Sequence, residues 1–399
     1  MSQSIFSYSN FKWLSFFVYF IGMFYGIPYA VYAIIFYALT AVVQLFIKGV
    51  NSWKNINKLL LLPIIFYFIH IISLIYSDDK ANAGFDLQVK FSFLMLPIIF
   101  LLEKNEYKFD FKNILKTYIY VIGSVSLIFL ITNIIHYVNQ GQFDYYMVYA
   151  KPLHPSYLSL YLVTNLLFIA WMIMDSKKVN IVFILSALLS MISLYFAESK
   201  AGLISAAILV AFVLFKYFFH SNKRLSLALI AVFIIASVSI FAYVPRFQGL
   251  LKSVSNYENV FEHPELVEES TALRLLTWDA SIQVIKENLI IGVGAGDIKS
   301  ELKSVYAEKN YNFPLELKMN SHNQFLETLV GQGIIGFLVL MSFLFLPLFY
   351  VKINQFLMQG FILIVSINLL FESMFNVQSG VVFIVFIYCF LLSFDFKKA

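Results

Sequence analysis

The stretch SHNQFLETLVGQGIIG, residues 321–336, places a histidine and an asparagine at the entrance to a long apolar helix. The chain stays apolar from Gly336 to Tyr350, so polar and apolar character change within one predicted helix. An apolar helix of this kind is long enough to cross a hydrocarbon core of about 30 Å. His322 is therefore predicted to lie at a membrane boundary, where an imidazole can exchange protons or orient a nucleophile near neutral pH.

The composition extends this prediction to the whole chain. Of the 399 residues, 60% are hydrophobic and only 13% are charged, and the mean hydropathy is +0.80. These values exclude an ordinary soluble domain and predict an integral membrane protein. The alternation of a β-barrel is absent, so the predicted fold is all-α and polytopic, with about 12 membrane helices.

Hydropathy divides the chain into two groups of spans and one long connection. We predict nine spans within residues 1–244, a long segment with short helices over 245–322, and three spans within 323–399. A signal peptide over residues 13–25, cleaved after PYAVYA, is a less favoured alternative, since the chain continues directly into further spans. The predicted spans are 11–26, 29–47, 58–76, 86–102, 113–137, 154–174, 180–197, 202–219, 225–244, 323–350, 356–375 and 380–395.

The distribution of lysine orients these spans. One set of alternating loops contains most of the short-loop lysines, and the positive-inside rule makes that set cytoplasmic. The segment 245–322 then faces outward. Several cations lie at or near the outer ends of predicted helices, where a charge is costly unless it meets a cavity or a partner. Their shared side predicts one anionic ligand. They are Lys90, Lys151, His154, Lys200, Arg274 and His322.

Plainer interpretations of these cations stay open on the sequence alone. Lys200 on its own is more readily interpreted as a lysine that reaches the membrane surface and pairs with Glu198. Arg274 is four residues from Trp278 on one predicted helical face and is equally interpreted as a solvated arginine stacked on that indole. A lone histidine such as His154 is more often structural than functional.

Other motifs give weaker indications. IGVGAGD, residues 291–297, has the glycines of an anion-binding nest but lacks the lysine of a P-loop. GQGIIG, residues 331–336, has dinucleotide-site spacing, yet its place in a membrane helix favours close packing. No metal-binding or nucleophile motif is present in the sequence, so neither a metal nor another cofactor is predicted. Glu372 is left as an ambiguous acid near the outer end of a span.

Five motifs together resemble the O-antigen ligase and polysaccharide polymerase superfamily. SHNQFLETLVGQGIIG is the most specific of them, and the resemblance covers most of the chain. It implies a GT-C type membrane glycosyltransferase that is inverting and independent of metal. The other four motifs are HPSYLSLYL at 154–162, SKAG at 199–202, RLLTW at 274–278 and IGVGAGD at 291–297.

The resemblance also implies roles for residues. His322 matches the motif histidine, which would activate or orient the acceptor hydroxyl, and Arg274 matches an arginine that would hold diphosphate. Lys200 stands where the family commonly has arginine, so it would neutralise phosphate without bidentate geometry. These three are the predicted catalytic residues. The predicted substrate-binding residues are Lys90, Lys151, His154, Trp278 and Asn323.

The implied donor is a glycan linked to undecaprenyl diphosphate, used in the bilayer at the periplasmic face of the bacterial inner membrane. The favoured function is an O-antigen ligase with the lipid A core as acceptor, and nucleic acid is not an expected partner. A polymerase that extends a growing glycan uses the same donor and is not separated from a ligase by sequence. A transporter or flippase of lipid-linked glycan is less favoured, because the polar residues gather on one side.

Overall fold

The computed structural model describes residues 8–25, 27–49, 57–103, 111–141, 153–218, 257–352 and 354–394, with the single positions 224, 228 and 231. The predicted ninth span is described only at positions 228 and 231, and Lys151 lies outside the described residues. The described ranges are helical, without a strand, which confirms the all-α prediction. Their helices are α1 Tyr8–Gly22, α2 Ile27–Lys48, α3 Leu61–Tyr76, α4 Lys80–Lys90, α5 Ser92–Leu102, α6 Phe111–Gln140, α7 Pro155–Ser176, α8 Ile181–Ala197, α9 Lys200–Phe218, α10 Tyr257–Glu262, α11 Ser270–Glu287, α12 Ile298–Glu308, α13 Asn312–Glu316, α14 Gln324–Tyr350, α15 Gln355–Phe371 and α16 Gln378–Ser393.

The membrane helices agree with the predicted spans. In the described part of the chain, seven helices are long and apolar enough to cross a bilayer, and four shorter apolar helices accompany them. The fourth predicted span differs in detail, because its helix begins at Lys80 and breaks at Phe91 into α4 and α5. The eleventh ends at Phe371 rather than at 375, and a short 3-10 turn follows.

The last helix forms the centre of the bundle. Residues of α16 from Val381 to Leu392 are almost completely buried. The ring of Phe386 stacks on Tyr19 of α1 at 3.8 Å, and the ring of Phe383 packs against Tyr161 of α7 at 4.1 Å. A helix that is apolar on every side is stable only when other elements surround it. The bundle therefore closes around α16, and the connection before it lies among several helix ends.

Residues 257–322, here called the loop segment, build a second and smaller core. Apolar faces of α11 and α12 meet there, with Leu276 and Leu302 fully buried, and Val330 of α14 completes the cluster. The loop segment thus packs on the start of a membrane helix and is not an extended linker. We call the end of the bundle that it covers the segment end.

The motif IGVGAGD, residues 291–297, packs closely against the end of α3 and against the motif GQGIIG in α14. A Cβ at Gly294 would lie 2.3 Å from Oγ of Ser77, and one at Gly296 would lie 2.1 Å from the carbonyl oxygen of Asp79. The N–H of Gly294 donates to the carbonyl of Gly331 at 2.9 Å, and that of Gly296 donates to Oγ of Ser77 at 3.2 Å. The interpretation of IGVGAGD as an anion nest is therefore wrong, because these amides already bond to protein.

Candidate functional site

The backbone at His322 is held in an unusual conformation. Oδ1 of Asn323 caps α14 by accepting hydrogen bonds from the N–H groups of Phe325 (2.9 Å) and Leu326 (3.2 Å). His322 itself has φ of +44°, a left-handed conformation that costs energy for a residue with a Cβ. Its N–H donates to Oδ1 of Asn320 at 2.8 Å. Two asparagine side chains thus fix the chain on both sides of the histidine.

The first turn of α14 is tied to the turn that joins α15 to α16. Oε1 of Gln324 accepts from the N–H of Phe375 at 2.8 Å. The buried carboxylate of Glu327 accepts from Nδ2 of Asn376 at 2.6 Å and from the N–H of Ser321 at 2.9 Å. A buried carboxylate is stable only with such partners. The histidine segment and this turn therefore form one rigid unit.

Glu372, at the start of that turn, is the acid beside the histidine. Its Oε1 lies 3.1 Å from Nδ1 of His322, and its side chain is only 8% exposed. The two groups are close enough for an ion pair, although they are not aligned for a straight hydrogen bond. Burial by itself would raise the pKa of Glu372. The contact with His322 and the positive charges of His154 and Arg274 nearby have a larger, opposite effect, so the pKa lies below its usual value. The carboxyl is therefore ionised at neutral pH.

Arg274 reaches the same turn from the loop segment. Its Nε donates to the carbonyl of Phe371 at 3.2 Å, directly before Glu372, and its guanidinium lies near enough to lower the pKa of that acid. The hydroxyl of Ser281, on the same helix α11, donates to Oγ of Ser321 at 2.9 Å. Helix α11 thus brings the arginine to the histidine segment through contacts at several points.

Lys200, the first residue of α9, contacts the start of α11. Its Nζ lies 2.9 Å from Oε1 of Glu269 and 2.6 Å from Oγ1 of Thr271. Glu269 also caps α11, since its Oε2 accepts from the N–H groups of Thr271 and Ala272. The acid that Lys200 contacts is therefore Glu269 of the loop segment, not the neighbouring Glu198 of the alternative interpretation. Lys200 thereby connects the start of α9 to the helix that carries Arg274.

His154 stands at the start of α7 and belongs to the same region. Its Nδ1 accepts from the N–H of Ser156 at 3.4 Å, so the ring caps the helix. It is also close enough to lower the pKa of Glu372. The structure therefore brings together His154, Arg274 and His322 around one carboxylate.

Lys90 and Trp278, two of the predicted substrate-binding residues, have different surroundings. Lys90 pairs with Asp86 inside the bundle, and the other oxygen of Asp86 lies 2.9 Å from Nδ1 of His70. The indole Nε1 of Trp278 is buried without a hydrogen-bond partner, one turn beyond Arg274. The predicted substrate contacts of Lys90 and Trp278 stay predictions.

Sequence reasoning missed several members of this arrangement. Glu372 was ambiguous, and neither Glu269 nor Glu327 was singled out among the acids. An available signal was the position of Glu372 directly after an apolar span, where a buried acid requires a partner. The partner itself, His322, is 50 positions away in the sequence, and hydropathy carries no information about such a pairing.

Comparison with known proteins finds a family that is similar to part of the chain. Residues 185–341, which include Lys200, Arg274 and His322, match the O-antigen ligase family. This part of the chain is therefore similar to the O-antigen ligase family. The match covers less than half of the chain and ends within α14. An uncharacterized protein of Haemophilus influenzae is similar over 312 residues at 24% identity, covering 76% of this chain and 75% of that protein.

Proposed function

We propose that this protein is a membrane glycosyltransferase that moves a glycan from undecaprenyl diphosphate to an acceptor hydroxyl at the periplasmic face of the bacterial inner membrane. In the favoured form of the proposal it is an O-antigen ligase, and the acceptor is the lipid A core. The observation that carries the proposal is the pair of the partly exposed His322 and the buried Glu372 beside Arg274, in a chain whose residues 185–341 match the O-antigen ligase family.

His322 is the proposed general base. Because Nδ1 faces the ionised carboxylate of Glu372, the proton of a neutral imidazole is most stable on Nδ1, which leaves Nε2 as the acceptor. Nδ1 is buried while the side chain is 25% exposed, so the accessible part of the ring lies away from Glu372. Nε2 would take the proton of the acceptor hydroxyl as its oxygen attacks the anomeric carbon.

Arg274 is the proposed ligand of the leaving group. As the bond from the anomeric carbon to the diphosphate oxygen breaks, negative charge develops on undecaprenyl diphosphate. A guanidinium stabilises such charge with two parallel hydrogen bonds, and more strongly in a site that excludes water. A single displacement of this kind inverts the configuration at the anomeric carbon, and in the proposed reaction Arg274 takes the place of a metal at the diphosphate. Lys200 would contribute charge, and its contact with Glu269 also supports a role in positioning α11.

Deletion of the gene, followed by analysis of the lipid-linked glycan, tests the proposal. Complete chains left on undecaprenyl diphosphate would support the ligase. Accumulation of single repeat units would support the polymerase, a second candidate because the superfamily that the sequence motifs resemble includes both activities. Unchanged lipid-linked and surface glycans would contradict a role in glycan transfer. Complementation with wild type and with His322→Ala connects the outcome to the proposed site.

A further inference from the structure

Helix α14 is interrupted at Gly333. Its φ of +61° and ψ of −160° are not helical, and a residue with a Cβ would be strained there. A Cβ at this position would also lie 2.4 Å from the carbonyl oxygen of Ile290 and 2.6 Å from the nitrogen of Ile291. The loop that follows α11 therefore packs its backbone directly against a broken membrane helix.

This loop exposes consecutive large apolar side chains. Leu289 is 51% exposed, Ile290 is 68% exposed and Ile291 is 51% exposed. A run of apolar side chains on the surface of a soluble region indicates contact with another apolar phase. The helices on which the loop packs also carry exposed apolar side chains, such as Ile75 of α3 and Ile335 of α14.

The backbone of the loop is satisfied by the membrane helices. The carbonyl of Leu289 accepts from the N–H of Ile334 at 2.8 Å, and that of Ile291 accepts from the hydroxyl of Tyr76 at 2.6 Å. The N–H of Val293 donates to the carbonyl of Val330 at 2.8 Å. Irregular backbone within a bilayer requires protein partners of this kind, because lipid chains supply none. A water-exposed loop has no such need.

Helix lengths give the depth of the loop. From Gly333 to Tyr350, next to the exposed Lys352, α14 rises about 26 Å. From the exposed Lys58 to Tyr76, the 3-10 turn and α3 rise about 28 Å. Both values are slightly less than a hydrocarbon core of about 30 Å, and any tilt of the helices reduces them. Gly333 and Tyr76, which hold the loop, therefore lie just inside the apolar boundary.

Charged residues mark the boundary itself. Asp78 and Asp79 follow Ser77, the residue that caps α3. Nζ of Lys80 turns back to the carbonyls of Leu74 and Ile75 at 2.8 Å each. Such charges mark the polar side of a membrane interface, and a tyrosine such as Tyr76 is enriched at that level. The loop is held by Tyr76, which precedes these charges in the chain, and so lies on their apolar side.

We propose that residues 289–291 insert among the acyl chains of the leaflet at the segment end. The loop segment is then fixed to the bilayer by its own apolar side chains as well as by its contacts with the helix bundle. Helix α11, which carries Arg274, ends at Glu287, and only Asn288 separates it from the inserted residues. The insertion therefore anchors in the bilayer the end of α11 that lies opposite Arg274.

Accessibility of a nitroxide label in proteoliposomes tests this insertion. Single cysteines replace Ile290, Leu266 as an exposed reference on the loop segment, and Ile335 as a lipid-facing reference. The native Cys389 is fully buried, so unsubstituted protein gives the background. We expect the Ile290→Cys label to collide with oxygen more than with a water-soluble nickel chelate, as Ile335→Cys does, and Leu266→Cys to show the reverse.

Leu289→Cys and Ile291→Cys provide the same reading if Ile290→Cys does not fold. Accessibility to the nickel chelate equal to that of Leu266→Cys would place the loop in water and overturn the proposal. Lipid-like accessibility that arises only on addition of undecaprenyl diphosphate would assign the loop to the donor's isoprenoid chain, and would equally overturn insertion into bulk lipid. None of these readings depends on glycan transfer.

Discussion

Nδ1 of His322 lies 3.1 Å from Oε1 of Glu372, although 50 residues of sequence and two membrane helices separate them. The acid is buried and ionised, and the histidine is held in a left-handed backbone conformation beside it. This pair resembles the base and orienting acid of many hydrolases and transferases, in which the carboxylate selects the tautomer of the imidazole.

Glu372→Gln is expected to reduce glycan transfer by about 10²-fold or more, because an amide keeps the shape but no longer stabilises the proton on Nδ1. Transfer by purified protein in liposomes, followed over a range of pH, measures the effect. The exposed Glu258 provides the control Glu258→Gln, which should transfer normally. A pH profile identical to that of wild type would argue against an orienting role for Glu372.

The difference in stability between wild type and Glu372→Gln is expected to depend on pH. The pKa of Glu372 is lowered in the folded protein from its ordinary value of 4.5, so its contribution to stability is complete above pH 4.5 and is lost as the pH falls through the lower, folded value. Wild type should therefore unfold at a higher temperature than Glu372→Gln at pH 7, and the gap should narrow below pH 4.5. A gap that widens in acid would contradict this sign.

Lys200 and Glu269 are expected to be coupled. A double-mutant cycle with Lys200→Met and Glu269→Gln should give a coupling energy of about 0.5–1 kcal/mol in thermal unfolding, since the pair is only partly buried. The reversed pair, Lys200→Glu with Glu269→Lys, should recover part of the lost stability. Additive effects of the two single substitutions would show that the contact does not hold α11.

Gly333→Ala should destabilise the protein by about 1–3 kcal/mol or more, since it combines a left-handed backbone with a Cβ that meets the backbone of Ile290. Gly84→Ala is the matched control. Gly84 lies within α4 with nothing near its missing Cβ, so alanine there should be neutral or slightly stabilising. Equal unfolding temperatures for the two variants would contradict the close approach at Gly333.

Asp86→Asn should destabilise the bundle strongly, by about 3–5 kcal/mol, because it leaves the buried ammonium of Lys90 without its acid. Adding Lys90→Met removes the uncompensated charge and should restore much of this loss. Thermal unfolding of the single and double variants in detergent measures both effects. A double variant less stable than Asp86→Asn would show that Lys90 has another partner.

Apolar periodicity and length were sufficient to predict the membrane helices, because burial in lipid leaves a continuous local pattern. The break at Phe91 was missed. The charged residues Asp86 and Lys90 leave the hydropathy of this region ambiguous, and only the structure shows that they pair one turn apart. The glycines at 331–336 were correctly interpreted as sites of close packing. Sequence spacing does not reveal their neighbours, which are the backbone of Ile290 at Gly333 and the side chain of Ile298 at Gly331.

The site was predicted only in part, for a related reason. His322 and Arg274 lie in recognisable motifs, and each stands at a predicted helix end. The role of Glu372 depends on three elements that meet at one turn, namely the ends of α14 and α15 and the helix α11. Such a meeting is a property of the packed bundle and of no local segment.

Glycan transfer by purified His322→Ala tests the central claim most directly. Wild type, His322→Ala and the control His263→Ala, which removes an exposed histidine from the same loop segment, are reconstituted in liposomes with an undecaprenyl diphosphate-linked glycan and a lipid A core acceptor. Loss of a general base should lower transfer by about 10²- to 10⁴-fold, while His263→Ala transfers at the wild-type rate and all three proteins unfold at similar temperatures. Transfer by His322→Ala at the wild-type rate would contradict the proposed mechanism.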